Sequence, residues 1–139
     1  MFNPELEVPD LELCKKLQEL GYPQETGGWY YVKILFPRKW VLCLKNPTEN
    51  LFYSCREGKK YFYRVQDYIK APTVRELGER LPSSIKWDHT LLCGKMLSGT
   101  YFCGVYKKGI TFTEVSADKE ANARAKMLIW LVENKYIEF

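Results

Sequence analysis

A chain of 139 residues has the length of one domain and can bury roughly two-thirds of the surface its unfolded form exposes, so neither a disulfide nor a metal is required to hold it together. Hydrophobic residues make up 46% and charged residues 27%, as in ordinary globular proteins, but aromatic residues reach 15%, and that surplus predicts aromatic-lined sheets with rings left for a partner. The net charge of +4 comes from 21 Lys and Arg against 17 Asp and Glu with both signs interspersed, so it points only weakly to nucleic acid. The acidic start MFNPELEVPDLE has no apolar h-region, and no run approaches the ~18 apolar residues of a membrane span, so the expectation is no signal peptide, no membrane and a cytoplasmic location.

The first predicted element is a helix from Leu11 to Leu20, started by Pro9 and Asp10 and ended by Gly21. Leu13, Cys14, Leu17 and Leu20 fall on one arc while Lys15, Lys16, Gln18 and Glu19 face water, so this helix should lie on a sheet. Trp29 to Phe36 and Lys39 to Lys45 read as a hairpin around Pro37 and Arg38; the loop Asn46 to Asn50 leads to strands Leu51 to Ser54 and Lys60 to Val65, joined by a turn around Gly58. A four-strand meander is the expectation for this group. TVRE at Thr73 is a capping box that opens a second helix, which Pro82 ends; Val74, Leu77, Gly78 and Leu81 share a face, Gly78 allows a close approach, and Arg75 with Glu79 and Glu76 with Arg80 form outward pairs.

A second group follows, three antiparallel strands at Ile85 to Met96, Thr100 to Tyr106 and Ile110 to Val115. A two-residue Lys108-Gly109 loop sets Val105 opposite Phe112 and Cys103 opposite Glu114. The last element is the helix Ser116 to Phe139, which closes the core. Its wheel places Ala121, Ala125, Leu128, Ile129, Val132 and Tyr136 on one arc, with Met127 and Leu131 on its flank; Leu128 and Val132 are expected in the core, and Trp130 lies opposite, either covered by another element or exposed as a partner or dimer contact. The fold class that results is α+β, one domain over residues 1–139, with antiparallel sheet and three helices packed on it.

Three helical segments, PDLELCKKLQELGYPQET at Pro9 to Thr26, APTVRELGERLP at Ala71 to Pro82 and KEANARAKMLIWLVENKYI at Lys119 to Ile137, resemble small proteins encoded by bacteriophages and prophages. The resemblance runs in the same order over nearly the whole chain. It implies a phage origin and residence in the infected bacterial cytoplasm, and it brings with it no reaction and no functional residues.

Chemistry-bearing motifs are sparse. Cys14, Cys43, Cys55, Cys93 and Cys103 contain no CxxC spacing, so they are expected as reduced thiols packed like small hydrophobes, with no metal. The single histidine, His89, shares a strand face with Ile85, Trp87, Leu91 and Cys93, with Asp88 on the other; Cys93 lies four residues on, ~13 Å away, too far for a nucleophile and base pair. The glycines sit between predicted elements and form neither GxGxxG nor GxxxxGK[ST], and no GxSxG occurs.

What remains is a mixture of rings and cations at Lys59, Lys60, Tyr61, Tyr63 and Arg64, and at Tyr101, Tyr106, Lys107 and Lys108. It has the composition of a single-strand binder and equally that of an aromatic sheet face with solvated hairpin tips. Trp130, Lys60, Tyr61, Tyr63, Arg64, Lys107 and Lys108 are therefore the candidate partner-binding residues, with no catalytic, cofactor or metal residues assigned. The expected function is that of a non-enzymatic phage accessory protein that binds a host protein or protein–nucleic-acid complex, an inhibitor of a bacterial defence system such as CRISPR-Cas, with a homodimer as the other candidate partnership. The alternatives are a sponge for a small signalling nucleotide and a nucleic-acid-handling or structural phage protein.

Overall fold

The computed structural model describes residues 3–24, 27–34, 38–44, 51–56, 59–85, 89–108 and 110–139, with backbone alone at 51–56 and 59–66. The Pro37 turn, the Asn46 to Asn50 loop, the Gly58 turn, Trp87 and Asp88 lie outside the described residues. In chain order the elements are α1 (Pro4–Glu7), α2 (Leu11–Glu19), β1 (Trp29–Ile34), β2 (Lys39–Leu44), β3 (Leu51–Arg56), β4 (Lys59–Lys70), α3 (Val74–Arg80), β5 (Ser84–Ile85), β6 (His89–Lys95), β7 (Tyr101–Lys107), β8 (Ile110–Ala117) and α4 (Glu120–Glu133). The class is α+β: two antiparallel four-stranded sheets, ordered β2-β1-β4-β3 and β5-β6-β7-β8, with α4 closing the core. No described helix is long and apolar enough to cross a membrane.

The first sheet is not the expected meander. β1 and β2 pair as the predicted hairpin, but β4 runs on to Lys70, where Tyr30 faces Lys70 and Val32 faces Tyr68, so β4 lies between β1 and β3. Its length is the reason, since a 12-residue strand has one half for β3 and another for β1. β1 alternates cleanly and buries Tyr30, Val32 and Ile34 on one face, while Trp29 and Tyr31 pack with Trp40 and Leu42 around Val8, Cys14, Ile69 and Ala71 on the other. Asp10 stands at the start of α2 without capping it, because its carboxylate is taken by Lys119 at 2.7 Å and by the Asn122 amide at 2.9 Å.

The capping box of α3 forms as predicted: Glu76 N–H donates to Thr73 Oγ1 at 3.3 Å, and Thr73 N–H donates to the Glu76 carboxylate at 3.2 Å. Arg75 pairs with Glu79 at 3.2 Å. The second expected pair is replaced. Glu76 turns to the buried ammonium of Lys70 at 3.1 Å, and the Arg80 guanidinium lies over the Tyr22 ring at 4.8 Å. Lys70 also donates to the Gly27 carbonyl and sits 5.2 Å from the Tyr30 ring centre, which compensates an ammonium taken wholly out of water. Gly78 permits the close approach foreseen, since a Cβ there would collide with the Arg124 guanidinium of α4.

α4 begins at Glu120, not near Ser116, because Ser116 and Ala117 finish β8. One face carries Ala121, Ala125, Leu128 and Ile129 into a cluster with Leu17, Tyr22 and Leu77; another carries Ala123, Met127 and Leu131 onto Cys103, Val105 and Ala117 of the second sheet. A helix apolar on two sides lies between layers, and one arc cannot describe it. Leu128 is fully buried, whereas Val132, on the same face but in the last turn of the helix, is only half-buried, which corrects its place in the core. The helix ends in a Schellman turn: Lys135 is left-handed at φ 62, and Tyr136 N–H returns to the Leu131 carbonyl at 2.9 Å. That turn brings Tyr136 onto Trp130.

The second sheet has four strands, not three. The segment expected as one strand from Ile85 to Met96 is divided into β5 and β6, which pair with Ile85 opposite His89. In the β7–β8 hairpin, Lys107 faces Ile110 and Tyr106 faces Thr111 as a two-residue connection requires, but a bulge between Val105 and Tyr106 shifts the rest by one, so Val105 meets Thr113 and Cys103 meets Val115. The physical reason lies in the core. The unbulged register would point Glu114 beneath α4 beside Cys103, and one extra residue exchanges it for Val115. Cys93 and Cys103 are directly opposite on β6 and β7, Cα to Cα 4.1 Å, and are joined as a disulfide, so the expectation of five reduced thiols fails for these two. Pairing register, which spacing along the chain does not reveal, sets them together.

Candidate binding surface on the second sheet

Side chains on β6, β7 and β8 separate into two sets. Leu91, Cys93, Tyr101, Cys103, Val105, Val115 and Ala117 point toward α4. The alternate positions, Thr90, Leu92 and Gly94 of β6 and Phe102, Gly104 and Tyr106 of β7, face away from it. An antiparallel sheet with one face on the core ordinarily turns polar residues outward. Here β6 and β7 turn Leu92, Phe102 and Tyr106 outward beside the polar Thr111, Glu114 and Ser116 of β8, and Leu92 is 53% exposed.

Both rings on this face lie down over glycines. A Cβ at Gly94 would stand 3.0 Å from Phe102 Cε1, and one at Gly104 would collide with the Tyr106 phenol, so the two glycines clear the floor on which the rings rest. Tyr106 is held there by its hydroxyl, which donates to the Glu114 carboxylate at 2.8 Å. Burial first, and then that hydrogen bond, push the Tyr106 phenol up to about 12. Thr90, Leu92, Phe102, Tyr106 and Lys108 together line an open cleft of about 460 Å³. Lys108, left-handed at φ 51, turns the β7–β8 hairpin at one end of it. At the other end of β6 the chain turns through Met96 and a fully exposed Leu97, closed by Met96 N–H to the Thr100 carbonyl at 2.8 Å.

The residues singled out from sequence are divided among three places. Lys107 and Lys108 are exposed at the hairpin end of β7, and Lys108 lines the cleft. Tyr101 turns the other way, toward α4, with Lys95 5.4 Å from its ring centre. Lys60, Tyr61, Tyr63 and Arg64 stand on β4 opposite Cys55, Ser54, Phe52 and Leu51 of the first sheet, and their side chains lie outside the described residues. The two basic aromatic stretches thus belong to different sheets. Trp130 is half-buried under rings of its own chain, stacked on Tyr136 at 5.4 Å and edge-on to Phe112 at 6.0 Å, with His89 5.0 Å beyond Phe112. His89 therefore joins an aromatic row, and the Cys93 sulfur on its face is bonded to Cys103.

Sequence reasoning missed Phe102, Leu92 and the two glycines. The signal was YFCGVYK itself, in which both alternating sets, Cys103 and Val105 against Phe102 and Tyr106, are apolar.

A second cleft, about 620 Å³, opens between α1, β2 and the start of α4, with Glu5, Leu6, Tyr31, Trp40, Leu42 and Lys119 on its walls. Two of its charges, Lys119 and Asp10, are paired with one another. Lys119 donates to the Glu5 carbonyl at 2.8 Å and to Asp10, and this hydrogen bond from Lys119 holds the Asp10 carboxyl below its ordinary value. The Tyr31 hydroxyl donates to the Pro9 carbonyl at 2.9 Å and is raised by burial. Among the described residues no group of three or more His, Cys, Asp or Glu is arranged to hold a metal ion. Against family models, curated proteins and solved structures, the chain has no match.

The outer face can take planar apolar groups on Phe102, Leu92 and Tyr106 and an anion at Lys108. The cleft walls offer a hydroxyl, an ammonium and a phenol that stays neutral far above pH 7, a set suited to holding a ligand.

Proposed function

We propose that this protein works by binding, and that the outer face of the second sheet is where a host macromolecule docks. One observation carries the proposal: β6 and β7 present Leu92, Phe102 and Tyr106 on the side of the sheet that α4 does not occupy, over a cleft walled by sheet residues and the hairpin lysine. An exposed Leu92 and two half-buried rings gathered on one face, rimmed by polar residues such as Thr90, Glu114 and Ser116, have the make-up of an interaction surface. Joined to the phage resemblance of the helical segments, the proposal becomes more specific: an accessory protein in the cytoplasm of an infected bacterium that blocks a defence system, such as CRISPR-Cas, by occupying a protein or protein–nucleic-acid complex.

The experiment is phage challenge of CRISPR-protected bacteria that express the full chain. Wild type restores infection, and Leu92→Asp, which plants a charge in the middle of the face, does not. Failure of wild type to restore infection would overturn the defence reading, and unimpaired restoration by Leu92→Asp would overturn the surface.

A further inference from the structure

We infer that the outer face of the second sheet takes single-stranded nucleic acid, with bases stacked on Phe102 and Tyr106 and a phosphate at Lys108. The inference rests on the proposed binding role of this face and names its occupant. Phe102 and Tyr106 are four residues apart on one strand, with the Tyr106 ring leaning back over Gly104, so the two rings follow one another along the line that successive bases of a strand would take. Their rings lean over Gly94 and Gly104, where any side chain would displace them, and so lie close along the sheet as surfaces for bases to stack on. Tyr106 is fixed in that posture through its hydroxyl by Glu114. Leu92, directly opposite Gly104, fills the floor between the two platforms.

Charge selects the ligand. The cleft wall holds one cation, Lys108, and no carboxylate, and Lys107 is exposed beside it at the hairpin end. Glu114 also stands on this face, opposite Gly104, where its carboxylate accepts the Tyr106 hydroxyl hydrogen and leaves the Lys108 end as the place for a phosphate. An aromatic floor ending in a lysine matches a strand that alternates bases with phosphates, because every base has a π-face and stacking does not depend on sequence. A duplex keeps its bases paired and would meet this face only through its phosphates.

The test uses the full chain and a fluorescein-labelled oligothymidine of about 12 nucleotides, read by anisotropy at about 50 mM salt. The expected result is saturable binding, weaker for a duplex of the same length. Phe102→Ala and Tyr106→Ala should each weaken it by about tenfold or more. Tyr106→Phe keeps the ring but not its hydroxyl anchor and should weaken binding less than Tyr106→Ala, while Gly104→Val, which displaces the Tyr106 ring without removing it, should lose it. Lys108→Gln should flatten the salt dependence by about 0.7 in the log–log slope, the share of one phosphate. Melting curves accompany each variant and separate lost binding from lost folding.

The inference is overturned by no binding at this salt, by equal affinity for duplex, by indifference to Phe102→Ala and Tyr106→Ala, or by a mononucleotide that competes as well as the strand. A dimer in sedimentation that Leu92→Asp dissolves, with no oligonucleotide affinity, would give the face to a second copy. If the oligonucleotide fails while Leu92→Asp still abolishes the effect on phage infection, the occupant is wrong and the binding role of the face stands. If Leu92→Asp changes neither, that role falls as well.

Discussion

Leu128→Ala tests how α4 holds the molecule together. Leu128 is fully buried and lies in the cluster where α2, α3 and α4 meet, beside Leu17, Tyr22 and Leu77. The substitution deletes three carbons, which at ~0.8 kcal/mol per buried CH₂ amounts to about 2.4 kcal/mol before any cavity cost. Collapse into the space is restricted, because Leu77 sits in a helix capped by Thr73 and Glu76, and Tyr22 is anchored through its N–H to the Leu17 carbonyl at 2.9 Å. The cavity left behind therefore raises the loss to about 3.5 kcal/mol. Val132→Ala, at a half-buried position, should cost under about 1 kcal/mol. Urea titration followed by circular dichroism reads both: at a slope of ~1–3 kcal/mol per molar, the Leu128→Ala midpoint drops by about 1 M or more while that of Val132→Ala scarcely moves. Equal costs at the two positions, or a loss below about 1.5 kcal/mol at Leu128, would refute the place given to Leu128 in the cluster between α2, α3 and α4.

The Lys70–Glu76 pair should respond unequally to removal of its partners: Glu76→Ala strands a buried ammonium and costs about 3 kcal/mol or more, while Lys70→Met leaves a carboxylate that is still partly solvated and costs less, as paired urea titrations would show. Thiol mapping of the native, unreduced protein near pH 8 should leave Cys93 and Cys103 unlabelled because they are bonded, and Cys14 unlabelled because burial pushes its thiol up to about 12; rapid labelling of Cys14 would contradict its place in the core. Reduction of the Cys93–Cys103 bond opens a loop with a sequence separation of 10 and should lower stability by at most about 3 kcal/mol. Tyr106 has a raised value when folded, so the stability it contributes is present below its ordinary 10.0 and is lost as pH climbs through about 12; the tyrosinate absorbance of wild type minus Tyr106→Phe should therefore rise near 12, and a step near 10 would contradict the Glu114 hydrogen bond.

Local chemistry made part of this fold legible. The Thr73 capping box, the arc of α2, the Arg75–Glu79 pair and the β1–β2 hairpin all depend on residues within a few positions of one another, and each forms as read. Pairings decided at a distance were hidden: β4 reaching back to β1, the bulge that exchanges Glu114 for Val115, and the meeting of Cys93 with Cys103 follow from register across strands. The helical wheel failed for α4 because it assumes one apolar face, whereas Ala121 and Ala123, two positions apart, are buried against different layers. At the candidate surface the composition of the hairpin pointed to Tyr106, Lys107 and Lys108. Phe102 and Leu92 stayed hidden, since a strand apolar on both sides looks the same whether its second face meets the core or is left for a partner.

Leu92→Asp, measured for both melting temperature and oligothymidine affinity on the same preparation, tests the central claim most directly. Leu92 is half in solvent on a face that α4 does not cover, so the variant should melt within a few degrees of wild type while its affinity for the labelled strand is lost. A variant that unfolds would show that the chain itself covers this face, and one that melts and binds like wild type would show that the face is not the site.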